Sequence, residues 1–519
     1  MAQHIKLPTS SHSFWMVSTP ETHYPQLQEN IKVDVVIIGG GMTGITAAYM
    51  LVKQGLKVAL LEADKILQGT TAHTTAKLTS QHNLIYTSIK GQYGRELAEQ
   101  YAAANEKAIQ IVADILKEHN IDANYRQQPA YVYTFEDKYI KQIEDEVNTA
   151  RDLGIKAHYL DSIPLGFSIK AAMRFDGQAQ FHPLKYLKPL AKWVTENGGM
   201  IYEQTPAVNL IHENGSDLVE TRGGHRVEAD KIVVATHYPF FDGGSMYFAK
   251  MYQERAYVLA IKIREQFPEG MYITAESPSR SLRSLPTEDG DLVMVIGDSH
   301  RTGSGQDTEQ HYQNLLKFAE EHYTINEVCY RWSTQDCTTP DNIPYVGNLT
   351  AKSPNIYVAT GFYKWGMTNS TAAAKIISDL IVIGDNPWAQ VYSPSRGASL
   401  KVIGAVIKHN IKVAADYFGG KLSAGEYGTD LTAGEAKIID KDGARMGAYK
   451  DEQGQVHLVD CTCTHLGCEL SWNSSEKTWD CPCHGSRYSY EGEVVDGPTF
   501  MKLSHDAEDP NRVEARVFS

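Results

Sequence analysis

The first strongly patterned stretch of the chain spans residues 31–64. A β-branched apolar run, IKVDVVII, breaks at a glycine-rich turn, continues as the helical pattern MTGITAAYMLVKQG and closes on a second apolar run, KVALLEAD. That order predicts a βαβ unit. A different pattern follows Asn386 and Pro387. Residues 399–418, SLKVIGAVIKHNIKVAADYF, set Leu400, Ile403, Ile407, Ile411, Ala414 and Phe418 on one stripe, with Lys401, Lys408 and Lys412 elsewhere. This predicts one amphipathic helix ending at Gly419 and Gly420. Because its charges are few and several apolar positions are small, the expected role is a connecting helix packed on a domain rather than a membrane-surface helix. From about Gly425 the pattern changes to short strands and turns.

Length and composition bound what these elements can build. With 519 residues and 42% apolar content, the chain is too long for one core and should divide into two or three domains. Forty-nine basic against sixty-three acidic side chains give a net charge of −14, which offers no general field for a phosphate backbone. Nucleic acid is therefore not an expected partner. The N-terminal stretch MAQHIKLPTSSHSFWMVSTP lacks the basic and apolar regions of a signal peptide, and no apolar run is long enough to cross a bilayer. The expected location is cytoplasmic, with no transmembrane segment. Of seven cysteines, Cys329 and Cys337 lie apart, while Cys461, Cys463, Cys468, Cys481 and Cys483 cluster near the C-terminus. Such clustering points to metal chemistry more than to a disulfide scaffold.

Within the βαβ unit, Gly39, Gly41 and Gly44 fit G-x-G-x-x-G, which allows a tight turn, close approach of backbone to a pyrophosphate and close helix–strand packing. Glu62 ends the second strand, where a carboxylate accepts from both hydroxyls of an adenosine ribose. No second fingerprint is found, which favours FAD over a nicotinamide. At this point residues 31–385 resemble the FAD-dependent oxidoreductases of the D-amino acid oxidase family, which includes glycine oxidase, sarcosine oxidase and dimethylglycine dehydrogenase. Beside the fingerprint, the resemblance rests on GQAQFHPLKYLKPLAKWV from Gly177, on KIVVATHYP from Lys231, and on PDNIPYVGNLTAKSPNIYVATGFYKWGMTNSTAAAKIISDLI from Pro340.

The resemblance implies an α/β, Rossmann-like, doubly wound FAD-binding domain with a β-sheet substrate layer. It also implies that the turn carrying Gly361, Gly366, Met367 and Thr368 brings backbone N–H groups and a helix N-terminus to the flavin pyrimidine edge, where reduced flavin gathers negative charge. Val208 would meet the adenine through its backbone, and Ala235 would lie by the ribityl chain. Thr70 and Thr71 read as a helix start near the flavin phosphates. GTTAHTTAKLT resembles the G-S-T-x-H stretch of the dimethylglycine dehydrogenases, in which the histidine bonds covalently to the flavin, and His73 holds that position. The residues after His73 depart from that subgroup, and a histidine at a helix start also serves as a cap or polar contact. Trp332, Tyr363 and Trp365 either line the substrate face of the flavin or pack in the core, and Lys364 either stabilises reduced flavin or faces solvent. No catalytic side chain is assigned, since hydride transfer from an amine carbon needs only a deprotonated, oriented amine.

Near the C-terminus, Cys463-x-His465 and Cys481-x-x-His484 offer two thiolates and two imidazoles on two loops. Zinc accepts such a set, although zinc sites favour pairs separated by two or more residues. The pattern resembles the Rieske [2Fe-2S] cluster, in which two cysteines hold one iron and two histidines the other. The resemblance covers residues 425–519 and is to the cytochrome bc type. It implies a small all-β domain, a disulfide between Cys468 and Cys483, hydroxyl donors to the cluster and ligand sulfurs at Ser486 and Tyr488, and a covering loop at Gly497 and Pro498. No run of the D-x2-H-x4-H kind is found for the mononuclear iron of a Rieske oxygenase.

The resulting organisation is an N-terminal extension at 1–30, an FAD-binding and substrate domain at 31–390, a linker with an amphipathic helix at 391–424 and a Rieske domain at 425–519. The expected function is an oxidoreductase that dehydrogenates a C–N bond of a small amine or amino acid and passes electrons singly to an external acceptor, a protein or a quinone. They would leave by the histidine-ligated iron, whose edge faces solvent in this fold. An alternative is an electron-transfer module with no small amine substrate. A third, action on a modified tRNA as in one branch of the flavin family, is opposed by the acidic charge.

Overall fold

The computed structural model describes residues 5–213, 216–241, 243–305, 307–397, 400–422, 430–441 and 444–505. The chain forms two compact units, one of Met1–Ser245, Ala256–Ser299 and Tyr312–Ser399, the other of Met246–Arg255, His300–His311 and Leu400–Ser519.

In the first unit the run at residue 31 becomes the strand Ile31–Ile38, flanked in parallel by Val58–Leu61 and Arg226–Val234. Met200–Tyr202 and Ile356–Thr360 extend the parallel array on either side. Val35, Val36 and Ile37 are all buried, as expected of a strand covered on both faces. The helix Met42–Lys53 connects the first two strands, so the predicted βαβ unit is present. A second sheet of eight strands runs in the order Ile325–Thr338, Tyr252–Ile263, Leu292–Arg301, Arg280–Leu285, Met271–Thr274, Ala130–Thr134, Ala171–Phe175, Ala157–Leu160. Its side chains alternate. Val258 and Ala260 join the main core, whereas Tyr257, Leu259 and Ile261 pack with Tyr312, Leu315 and Leu316.

The N-terminal stretch is integral to this unit rather than an appendage. Phe14 and Trp15 are buried, Ser13 donates to the Ala72 carbonyl, and Trp15 Nε1 donates to the Thr74 carbonyl at 2.8 Å. The same unit holds a buried ion pair. Arg396 donates to both carboxylate oxygens of Asp341 at 2.8 and 2.9 Å, and Tyr93 donates to Asp341 at 2.7 Å. Burial works to raise the Asp341 carboxyl, yet the Arg396 guanidinium holds it below its ordinary value.

The second unit carries a three-stranded sheet, Ala436–Lys441, Ala444–Lys450 and Val456–Asp460, and a four-stranded one, Ser471–Asn473, Thr478–Asp480, Arg487–Ser489 and Val494–Asp496. Val459, Leu470, Trp479, Tyr488 and Leu503 form its core. Gly447 is required there, since a Cβ would stand 2.6 Å from the Trp479 ring. The buried Arg487 binds Asp480, Asp496 and Glu476 at 3.0, 2.8 and 3.2 Å.

The amphipathic helix forms over Leu400–Leu422, running on through Gly419 and Gly420 rather than ending there as expected, and does not pack by its isoleucine stripe. Ile403, Ile407 and Ile411 are 45%, 55% and 66% exposed, while Val402 is buried and Val413 and Tyr417 pack on the unit's core. The opposite side is nearly as apolar and also supplies polar partners: Asn410 donates to the Ala249 carbonyl at 2.9 Å, and Asp416 pairs with Arg301 at 3.6 Å. Those contacts select the buried face. The side chains of Leu400, Lys401 and Phe418 lie outside the described residues, as do residues 423–429, where the second pattern begins, and 506–519.

Replacing Arg396 by Ala leaves the Asp341 charge buried without its partner and is expected to cost about 3–5 kcal/mol, read by chemical denaturation at neutral pH. Asp341 has a depressed folded-state pKa, so its contribution is present above the ordinary Asp value and is lost as pH falls through the folded one. The gap between wild type and variant should therefore narrow in acid, and a gap independent of pH would refute the assignment.

Candidate functional site

At the first glycine turn the backbone is too crowded for any side chain. Gly39 has φ +108°, and a Cβ there would lie 2.5 Å from the Ala235 carbonyl; one at Gly44 would lie 1.9 Å from the Gly39 carbonyl. Gly41 is the N-cap of the helix and brings no side chain of its own to the helix start. Glu62 accepts from Gly40 N–H at 2.7 Å and from Asp64 N–H at 3.1 Å, which anchors its carboxylate at the strand end. Thr71 Oγ1 accepts from Met42 N–H at 3.0 Å, and Thr70 Oγ1 donates to the Gln335 carbonyl at 3.3 Å. Val208 falls at a register shift between its strand and the next, where ladder pairing is interrupted. This glycine cradle, helix N-terminus and terminal carboxylate fit an adenine dinucleotide.

The helix Gly366–Val382 starts without a side-chain cap and buries Met367 and Thr368, and Gly361 takes φ +74° just before it. Thr368 Oγ1 accepts from Thr79 N–H at 2.9 Å and donates to the Thr79 carbonyl at 2.8 Å, tying this turn to the segment after His73. His73 itself turns back on its own short helix, with Nδ1 3.0 Å from the Gly69 carbonyl. The two indoles are engaged in packing: Trp332 Nε1 donates to the His73 carbonyl at 2.9 Å, and Trp365 stacks on His82 at 5.0 Å. Lys364 Nζ donates to Ser299 Oγ at 2.5 Å, and Tyr363 takes φ +52°.

In the second unit the two cysteine loops share one local design. Cys463 N–H donates to the Cys468 carbonyl and Cys481 N–H to the Ser486 carbonyl, each at 2.8 Å. In each loop a glycine four residues on, Gly467 or Gly485, donates back to the cysteine carbonyl with φ near +75°. The sulfurs of Cys468, Cys481 and Cys483 lie within 4.8 Å of one another, and Cys468 and Cys483 are joined as a disulfide. Cys481 is therefore the thiol of that trio outside the disulfide, with Cys463 beside it. Burial alone pushes thiols up. The Cys463 thiol is nonetheless lowered by hydrogen bonds from Cys481 and Tyr488, whereas Cys481 is raised by its bond to Cys463 and by burial.

The imidazoles complete the set. His465 and His484 stand with ring centroids 5.0 Å apart and planes at 88°. His484 Nδ1 is buried with no hydrogen-bond partner, and the buried Ser486 hydroxyl lies beside the Cys463 sulfur. An orphaned imidazole nitrogen and a hydroxyl next to two neighbouring thiols are what a bound cluster would satisfy. Tyr488 Oη lies 3.4 Å from Cys463 Sγ and 2.9 Å from Thr464 Oγ1, and Thr464 reaches Thr499 Oγ1 and the Met501 carbonyl at 2.6 and 2.7 Å. Thr464 thus ties the segment at Thr499 and Met501 to the first cysteine loop, a role its sequence position between Cys463 and His465 does not reveal. The expected solvent-facing edge is one-sided. His465 is half-buried beside the 38% exposed Leu466, whereas His484 is only 5% exposed. Cys461 is fully buried against the Leu470 carbonyl and plays a packing role.

Residues 34–380 match the family described as FAD dependent oxidoreductase, and residues 426–505 match the Rieske [2Fe-2S] domain. The chain belongs to the FAD dependent oxidoreductase family. It is 44% identical over 492 residues, covering 95% of this chain and 96% of the relative, to a Bacillus subtilis (strain 168) protein named "Putative Rieske 2Fe-2S iron-sulfur protein YhfW". It is 26% identical to the gamma-glutamylputrescine oxidoreductase of Escherichia coli (strain K12), over 69% of this chain and 85% of that one. In fold it is similar to the glycine oxidase of Geobacillus kaustophilus, with a TM-score of 0.60 at 17% identity, covering 71% of this chain and all of that one. This oxidoreductase therefore uses FAD and a [2Fe-2S] cluster. No described helix is long and apolar enough to cross a membrane.

Hydroxyl donors to sulfur offset the charge gained on reduction and raise the potential. Ser486→Ala should lower the midpoint potential of the cluster by on the order of 60 mV, equivalent to a tenfold change for one electron, without loss of iron. A redox titration followed by EPR measures it, and an unchanged potential would remove Ser486 from the site.

Proposed function

We propose that this oxidoreductase dehydrogenates a C–N bond of a small amine or amino acid and passes the electrons singly through the Rieske cluster to an external protein or quinone. The carrying observation is that one chain joins a glycine-oxidase-like flavin fold to two cysteine loops with paired thiols and imidazoles. FAD, when bound, accepts two electrons as hydride, and the cluster carries one at a time.

Within this reading, Gly39, Gly41, Gly44 and Glu62 hold the adenosine and pyrophosphate, with Thr70 and Thr71 near the phosphates, Val208 at the adenine and Ala235 at the ribityl chain. Gly361, Gly366, Met367 and Thr368 present the helix start to the flavin pyrimidine edge. Cys463, Cys481, His465 and His484 are the cluster ligands, with Ser486 and Tyr488 as hydroxyl donors. A covalent flavin bond at His73 would use Nε2, since Nδ1 faces the Gly69 carbonyl. A relative named for γ-glutamylputrescine supports an amine as the substrate class.

The test is anaerobic mixing with N-methylated amines, diamines and amino acids, following the flavin band and the cluster EPR signal together. The expected result is flavin bleaching by one compound class, followed by a Rieske signal. If no amine bleaches the flavin while an external reductant fills first the cluster and then the flavin, the electron-transfer module replaces this reading.

A further inference from the structure

Two stretches that interrupt the first unit's sequence, Met246–Arg255 and His300–His311, are built into the second unit. They are anchored at several points. Arg255 pairs with Glu476 at 2.9 Å, Thr308 Oγ1 donates to Asn473 Oδ1 at 2.8 Å and accepts from Ser475 N–H at 3.0 Å, and Asn410 donates to the Ala249 carbonyl at 2.9 Å. Between these anchors they close over the second cysteine loop. The Phe248 ring meets the His484 ring edge-on, with centroids 5.9 Å apart. Gly303, at φ +69°, passes so near that a Cβ would stand 2.5 Å from the Pro482 nitrogen. Arg301, 13% exposed, donates from Nη2 to the Cys483 carbonyl at 3.5 Å and faces Asp416 at 3.6 Å through Nη1.

A cluster held by two thiolates and two neutral imidazoles is neutral overall when both irons are ferric, and it gains one negative charge when one electron reduces it. Sealing the loop from water disfavours that added charge. A cation against the loop favours it, and does so more strongly where water is excluded. We propose that Arg301 is a positioning residue for electron uptake: held by the two stretches against the Cys481–His484 loop, its guanidinium stabilises the charge gained on reduction and so keeps a water-shielded cluster easily reducible. This rests on the assignment of Cys463, His465, Cys481 and His484 as ligands. Asp416 partly offsets the Arg301 charge.

The experiment is an EPR-monitored redox titration of the full-length protein carrying both cofactors, at fixed pH and salt, with iron and sulfide content measured on each sample. Arg301→Gln should make reduction about tenfold less favourable, a fall of about 59 mV for one electron, with the cluster fully loaded. Arg301→Lys should stay near wild type, and Asp416→Asn should raise the potential. Unchanged potentials in both Arg301→Gln and Asp416→Asn overturn the proposal. If Arg301→Gln fails to load the cluster, Asp416→Asn decides alone: a rise supports the proposal and no change overturns it. Absence of a Rieske signal from wild type would sink the ligand assignment, and the proposal with it, before any variant is made.

Discussion

Two sulfur atoms buried side by side cannot both carry charge in an apolar interior unless something receives it. Cys463 and Cys481 are in that position, and much of the second unit answers to it. Two loops of matching backbone design present the thiols, a disulfide ties the loops together, and hydroxyls from Tyr488 and Ser486 crowd the sulfurs. The orphaned His484 Nδ1 stands beside them. Such an arrangement fits the [2Fe-2S] cluster of the Rieske domain that residues 426–505 match.

Flavin chemistry imposes a different constraint. Backbone must approach a pyrophosphate closely, and the crowding at Gly39, Gly44 and Ala235 shows how little room remains for side chains. The two constraints meet in electron number. Flavin chemistry begins with a pair of electrons, and an iron-sulfur centre handles one, so a chain holding both can couple a two-electron oxidation to a one-electron carrier.

Much of this was legible in the sequence because its carriers are local. The glycine fingerprint works through neighbours a few residues apart, and the paired Cys and His spacings lie within single loops. Legibility failed where partners are distant. Nothing around Phe248, Arg301 or Gly303 distinguishes them, since each matters through residues far along the chain. The N-terminal Trp15 is placed by the Thr74 carbonyl, a contact that its own neighbours do not announce. The helix Leu400–Leu422 misled for another reason: it has two passably apolar sides, and the buried one was chosen by polar partners at Ala249 and Arg301.

The interleaving of Met246–Arg255 and His300–His311 with the rest of the second unit bears on how this protein is made. Both stretches leave the ribosome well before the second cysteine loop that they cover, so their final contacts must wait for the C-terminal part of the chain. The second unit therefore folds by long-range closure rather than as an autonomous bead at the end of a linker. A gene fragment cut at the apparent linker would encode both cysteine loops yet omit the segments that shelter the second.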